Sequence, residues 1–166
     1  AYGTVYPLGE TEDEVRFNSD RGLKRGWKAI KIVADPQWRN DLKKTGLLIR
    51  TARLQVGPDI KLMCDAATAW TEAEQGLPVV PIFRDNDFLW LEAPLPIDDL
   101  AGHARFAGQG VPIGGGDLGL TTHYEYETAF DVGKIDIAQP DVTMAGVLTE
   151  LLRIAEKVTL THHEKW

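Results

Sequence analysis

Three stretches decide how this sequence folds: Lys61-Leu62-Met63-Cys64-Asp65, Phe88-Leu89-Trp90-Leu91-Glu92 and Val111-Pro112-Ile113-Gly114-Gly115-Gly116-Asp117. Each is a short, mostly apolar run that closes on an acidic side chain. A fourth run, 135–139, is followed by Pro140-Asp141. Runs this apolar suit parallel strands covered on both faces. The four acids are 27, 25 and 24 positions apart, about the length of one strand, one helix and their loops.

Working outward, further strand-like runs occupy 2–6, 29–33 and 158–161. Amphipathic helical stretches lie between the runs, at 12–25, 41–56, 70–84, 98–108, 124–132 and 147–157. Thr11 with Glu14, and Thr71 with Glu74, have the spacing of capping boxes that start helices. Strands alternating with helices imply parallel pairing through right-handed crossovers. Two α/β architectures satisfy that pattern, an open doubly wound sheet and a (β/α) barrel of TIM type. The first strand-to-helix turn, Pro7-Leu8-Gly9-Glu10, is not a Gly-rich phosphate loop. The carboxylates favour the barrel, because barrel sites are assembled from strand C-terminal ends around one mouth.

Asp65, Glu92, Asp117 and Asp141 would then converge. Carboxylates brought together in a partly dry site need a cation to stay ionised. Hard oxygen donors on adjacent strands suit Mg²⁺. The alternative is that each acid caps the helix after its loop. Four in successive units, each behind an apolar run, argue for the shared site.

Residues 61–67, 90–96 and 111–117 closely resemble the three metal-ligand strands of the enolase superfamily. Residues 136–146 with Thr149-Glu150 resemble the next strand of its mandelate racemase-like branch. The resemblance extends from Gly26 to His163 in order and spacing. It implies Asp65, Glu92 and Asp117 as Mg²⁺ ligands, with Asp117 standing where the branch usually carries Glu. It implies Asp141 as the acid that orients a catalytic histidine, His162 or His163, at the end of a strand 158–161. Lys31 matches the first lysine of the family's Lys-x-Lys strand, whose second position here is Val33. Lys31 would polarise a substrate carboxylate or act as a displaced base; otherwise it is a strand lysine paired to a nearby carboxylate. His123 and Tyr124 read as loop residues after Asp117.

The implied chemistry is Mg²⁺-dependent removal of the proton next to a carboxylate, through an enediolate. With one complete base arrangement, dehydration of a sugar acid is expected, and racemisation or epimerisation of a 2-hydroxy acid is the alternative. Residues 1–6 already read as a barrel strand, so no part of the sequence corresponds to the family's N-terminal capping domain. No eighth strand follows His163, and 146–162 is about five residues short of the family's helix-turn-strand. The expectation is one incomplete barrel domain over 1–166 with about seven strands. A truncated, non-catalytic fragment retaining a metal site, and completion by a homo-oligomer or a second chain, are further readings.

Bulk composition bounds the rest. Of 166 residues, 43% are hydrophobic and 26% charged, as in ordinary globular domains, and the formal net charge is −7. That charge argues against nucleic-acid or anionic-membrane surfaces, which need clustered Lys and Arg. No apolar run approaches the roughly 20 residues that cross a bilayer. The lone Cys64 points to a reducing, cytoplasmic setting. The expected partner is a small-molecule carboxylate.

Overall fold

The computed structural model describes residues 1–6, 8–34 and 41–161. Six short strands carry the apolar runs: β1 (Gly3–Val5), β2 (Ala29–Val33), β3 (Lys61–Asp65), β4 (Phe88–Glu92), β5 (Ile113–Gly115) and β6 (Ile137–Ala138). They form one parallel sheet in the order β1-β2-β3-β4-β5-β6, each strand beside its neighbour in sequence. Six consecutive parallel units of this kind make an arc of a TIM-type (β/α) barrel, left incomplete.

Alternation along the strands separates two faces. Ile30, Ile32, Leu62, Cys64 and Leu91 are fully buried in the hydrophobic core. Lys31, Asp65, Trp90 and Glu92 take the intervening positions on the concave face. The strands are therefore apolar on the helix side and mixed within, where the sequence suggests apolar character on both.

The helices are α1 (Glu12–Lys24), α2 (Leu42–Val56), α3 (Ala73–Gly76), α4 (Val80–Asp85), α5 (Leu100–Ala104), α6 (His123–Asp131) and α7 (Val147–Thr161). Helix α1 begins in the expected capping box. Glu14 N donates to Thr11 Oγ1 at 3.3 Å, and Thr11 N donates to Glu14 Oε2 at 3.1 Å. Asp41 caps α2 by accepting from Lys44 N at 2.9 Å. A second full capping box, Thr122 with Glu125, opens α6 and draws His123 and Tyr124 into the helix. This corrects the reading of His123 as a loop residue and places Tyr124 in the helix expected from 124.

Thr71 does not cap. Its N–H and hydroxyl both bond Gln75 Oε1, and Glu72 precedes α3 without a side-chain cap. The single helix expected over 70–84 breaks into α3, a 3₁₀ turn at Leu77–Val79, and α4. Pro78 and Pro81 lack the N–H groups that a continuous helix would need.

The largest correction lies at the C-terminal end. Residues 158–161, expected as a seventh strand, continue helix α7. No turn residue separates Lys157 from Val158, and the partly buried Leu151 with the buried Ile154 and Val158 forms one core-facing stripe at helical spacing. Among the described residues there are six strands. His162 and His163 lie outside the described residues.

Candidate metal centre

Pairing register puts the carboxylates at one level. Asp65 is the register partner of Glu92, and Glu92 that of Gly114, three residues before Asp117. The backbone continues the ladder past each strand: Ala66 N donates to Glu92 O at 2.8 Å and Ala93 N to Gly114 O at 2.9 Å. Then the chain turns away sharply. Ala67, Thr68 and Ala93 all take left-handed backbone angles (φ 47°, 55° and 43°), as does Gly116 (φ 102°). Strained backbone of this kind persists where surrounding structure imposes it, and it collects at functional sites.

Gly116 has no substitute at its position. A β-carbon there would lie 2.5 Å from the Tyr126 hydroxyl, which donates to the Gly116 carbonyl at 2.9 Å and pins the end of β5 to α6. Burial, followed by the charges of Asp117 and Glu125, pushes the Tyr126 phenol well up, so it stays a donor.

Among the described residues Glu92 is the best-buried acid, only 2% exposed. Lys31 Nζ donates to its Oε1 at 2.7 Å and stands 3.5 Å from Asp65 Oδ2. Its other oxygen accepts from Gln139 Nε2 at 2.6 Å and from Trp90 Nε1 at 3.3 Å. Asp65 Oδ1 accepts from Ala67 N at 2.8 Å. Burial pulls the Lys31 pKa down, but the hydrogen bond and charge of Glu92, with Asp65, push it up further; the net shift is upward. Lys31 is thus held as an ammonium. Asp65 and Asp117 are both raised above the usual carboxylate range, by burial first and then by the charge of Glu92. Two carboxylates pair with the one ammonium and a third, Asp117, lies beyond ion-pair reach of it, so negative charge is in excess.

That excess, on hard oxygen atoms only, fits a divalent cation of the Mg²⁺ type. Among the described residues, no three Asp, Glu, His or Cys side chains converge closely enough to hold an ion in the positions seen. The ammonium of Lys31 lies between Glu92 and Asp65 instead.

Two cavities meet at this cluster. The larger, of about 830 Å³, opens along the concave face and is lined by Lys31, Glu92, Asp117, Gln139 and Asp141 above an aromatic floor of Tyr2 and Trp90. Those two rings pack edge to face at 5.7 Å, with Lys31 Nζ 5.7 Å from the Tyr2 centroid. The smaller, of about 390 Å³, lies among the turns after β3, β4 and β5 and shares Asp117 with the first.

Asp141 reaches the larger cavity but is exposed, and its Oδ1 accepts from Thr143 N at 2.6 Å and Thr143 Oγ1 at 2.5 Å. Those bonds hold its pKa down. No histidine among the described residues bonds Asp141. His123 bonds Glu150 instead, with its backbone N–H at 2.7 Å and Nδ1 at 2.5 Å from Oε1. Gln139 and Trp90, which grip Glu92, are absent from the sequence-derived set. Gln139 carried a signal that charge alone conceals: like the acids, it sits at the end of its strand.

Residues 15–161 match the profile of the family described as Enolase C-terminal domain-like. The chain belongs to that family. A 3,6-anhydro-alpha-L-galactonate cycloisomerase from Streptomyces coelicolor is 31% identical over 86% of this enolase-family chain and 38% of its own length. A D-galactarolactone cycloisomerase from Agrobacterium fabrum is 31% identical over 96% of the chain and 42% of its own. Among solved structures, a racemase from Streptomyces coelicolor A3(2) with bound magnesium superposes with a TM-score of 0.84 at 29% identity, covering 95% of this chain and 46% of that one. The chain spans less than half the length of each of these relatives. Among the described residues, no helix is long and apolar enough to cross a membrane.

Proposed function

We propose that this enolase-family chain carries the metal and acid-binding half of a site that removes the proton next to the carboxylate of a sugar-derived acid. The observation that carries this reading is the pair Glu92 and Asp65 about the Lys31 ammonium, with Asp117 shared by the two cavities that flank them. Asp65, Glu92 and Asp117 would hold Mg²⁺, which when bound supplies Lewis-acid withdrawal of charge from a substrate carboxylate.

The chain's own residues contribute the following. Lys31, fixed as an ammonium, offers positive charge to a carboxylate in the cavity and is not a base in this state. Asp141, at the cavity rim, would orient a histidine imidazole and raise its basicity; His162 and His163 are the sequence candidates, although helix α7 replaces the strand expected to carry them. That imidazole takes the α-proton, the electron pair becomes an enediolate, and collapse of the enediolate expels an oxygen from the β-carbon. A β-hydroxyl leaves as water once protonated, which is dehydration. The cycloisomerase relatives favour a second form of the same step, in which the leaving oxygen belongs to a ring and the ring opens. With Val33 where a second lysine would stand, one-sided proton removal is favoured over racemisation of a 2-hydroxy acid.

The test is exchange of α-protons into D₂O, followed by NMR over a panel of sugar acids, their anhydro and lactone forms, and 2-hydroxy acids. Exchange that disappears with EDTA and in Glu92→Gln supports the reading. Exchange indifferent to both, or none on any acid while Mg²⁺ is bound, removes the chemistry assigned to this chain.

A further inference from the structure

Gln139 reaches the metal centre from just beyond β6, at the edge of the sheet. Its backbone N–H donates to Gly115 O at 3.1 Å, anchoring it beside β5. Its side chain then passes over Gly114 and delivers Nε2 to Glu92 Oε2 at 2.6 Å. Carboxylate oxygens only accept, so the amide must present its nitrogen to Glu92 and turn Oε1 away. That Oε1 is buried without a hydrogen-bond partner. It lies over Gly114, where a β-carbon would be 2.4 Å from it. Gly114 does not have the positive φ of Gly116, so backbone freedom does not account for this glycine. Space for the Gln139 amide does.

An amide held this closely, with its acceptor left unmet, is costly in a buried site unless its donor is needed. We propose that Gln139 is a positioning residue of the metal centre, which fixes the Glu92 carboxylate from across β5, and that Gly114 is glycine to let it pass. The proposal rests on the reading of Asp65, Glu92 and Asp117 as Mg²⁺ ligands. Residues that orient a metal ligand commonly change affinity by roughly 10–100-fold when replaced.

The experiment is calorimetric titration of MgCl₂ into the parent chain, Gln139→Met, Gly114→Ala and the double variant, with unfolding curves for each. Gln139→Met keeps the length and loses the donor, so Mg²⁺ should bind roughly 10–100-fold more weakly. Gly114→Ala displaces the amide and should give a similar loss. The double variant should bind no more weakly than Gln139→Met alone, because the thioether, no longer held by Glu92, is free to swing off the added methyl group. Should Gly114→Ala not fold, Gln139→Asn, one methylene too short, takes its place and should match Gln139→Met. A merely structural role would lower the unfolding midpoint and leave affinity within about twofold, which overturns the proposal, as would losses that multiply in the double variant. A parent chain that binds no Mg²⁺ overturns the metal-centre reading and this role with it. A parent that binds, beside a Gln139→Met that binds equally, overturns this role alone.

Discussion

Replacing Lys31 with Met tests whether charge balance holds the concave face together. The substitution keeps the unbranched stem, one atom shorter, and removes the ammonium that bridges Glu92 and Asp65. Lys31 and Glu92 side chains are only 11% and 2% exposed and meet at 2.7 Å, so the pair counts as buried. Breaking such a pair by removing one partner costs about 3–5 kcal/mol. Glu92 keeps its bonds from Gln139 and Trp90, and Asp65 its bond from Ala67, which places the loss near the lower end, about 3 kcal/mol. For a chain of this size that is a fall of roughly 6–12 °C in the unfolding midpoint. Circular dichroism melts in EDTA read the loss directly. Millimolar Mg²⁺ should then restore most of it, because a divalent cation replaces the missing positive charge and stabilises by mass action. A melt within 2 °C of the parent in EDTA would refute the argument that Lys31 neutralises these acids. A full loss that Mg²⁺ leaves untouched would refute the assignment of a cation to them.

Three further outcomes are expected. Arg53 donates to four backbone carbonyls, those of Asn86, Gly57, Ile60 and Asp87, at 2.8–3.0 Å, tying α2 to the entries of β3 and β4. Arg53→Ala should cost about 2–3 kcal/mol in urea unfolding, and Arg53→Lys, which cannot reach all four, should recover less than half. Gly116→Ala forces a β-carbon onto the Tyr126 hydroxyl at a left-handed backbone angle, so it should destabilise by about 1–3 kcal/mol, with Tyr126→Phe relieving part of the loss. Glu150 is held down to about 2 from its ordinary 4.5 by the backbone and side-chain hydrogen bonds of His123. Its folded pKa is depressed, so its stabilisation is present above pH 4.5 and disappears as pH falls through about 2. Melting curves from pH 6 to 2 should fall less steeply for Glu150→Gln than for the parent, and equal slopes would refute the assignment.

Most of the sheet was legible because parallel strands advertise themselves as apolar runs, and β2 and β4 have the boundaries read from sequence. The carboxylates were legible for a related reason, since strand ends are where a barrel exposes side chains. Legibility failed where local pattern had two solutions. Val158-Thr159-Leu160-Thr161 is β-branched and apolar enough to be a strand, yet the helical stripe from Leu151 continues through Val158 and the helix wins. The stretch 70–84 has the pattern of one amphipathic helix, yet Pro78 and Pro81 divide it into shorter turns. Asp141 illustrates a different difficulty: an acid after a strand serves a turn as readily as a site, and its Thr143 bonds are those of a turn. Gln139 escaped because a neutral amide gives no charge signal, although geometry makes it the closest partner of Glu92 Oε2.

The order of the strands bears on how this chain can be made. Every strand lies beside the one synthesised immediately before it, so each β/α unit emerging from a ribosome finds its docking edge already in place. No segment has to be threaded between two earlier ones, and the separations that must close stay near the length of a single unit. Assembly can therefore proceed as stepwise accretion from the N-terminal side. Hydrogen exchange should grade accordingly, slowest across the five-residue ladders of β2 and β3 and fastest at the two-residue β6, where the latest arrival is held by the fewest bonds.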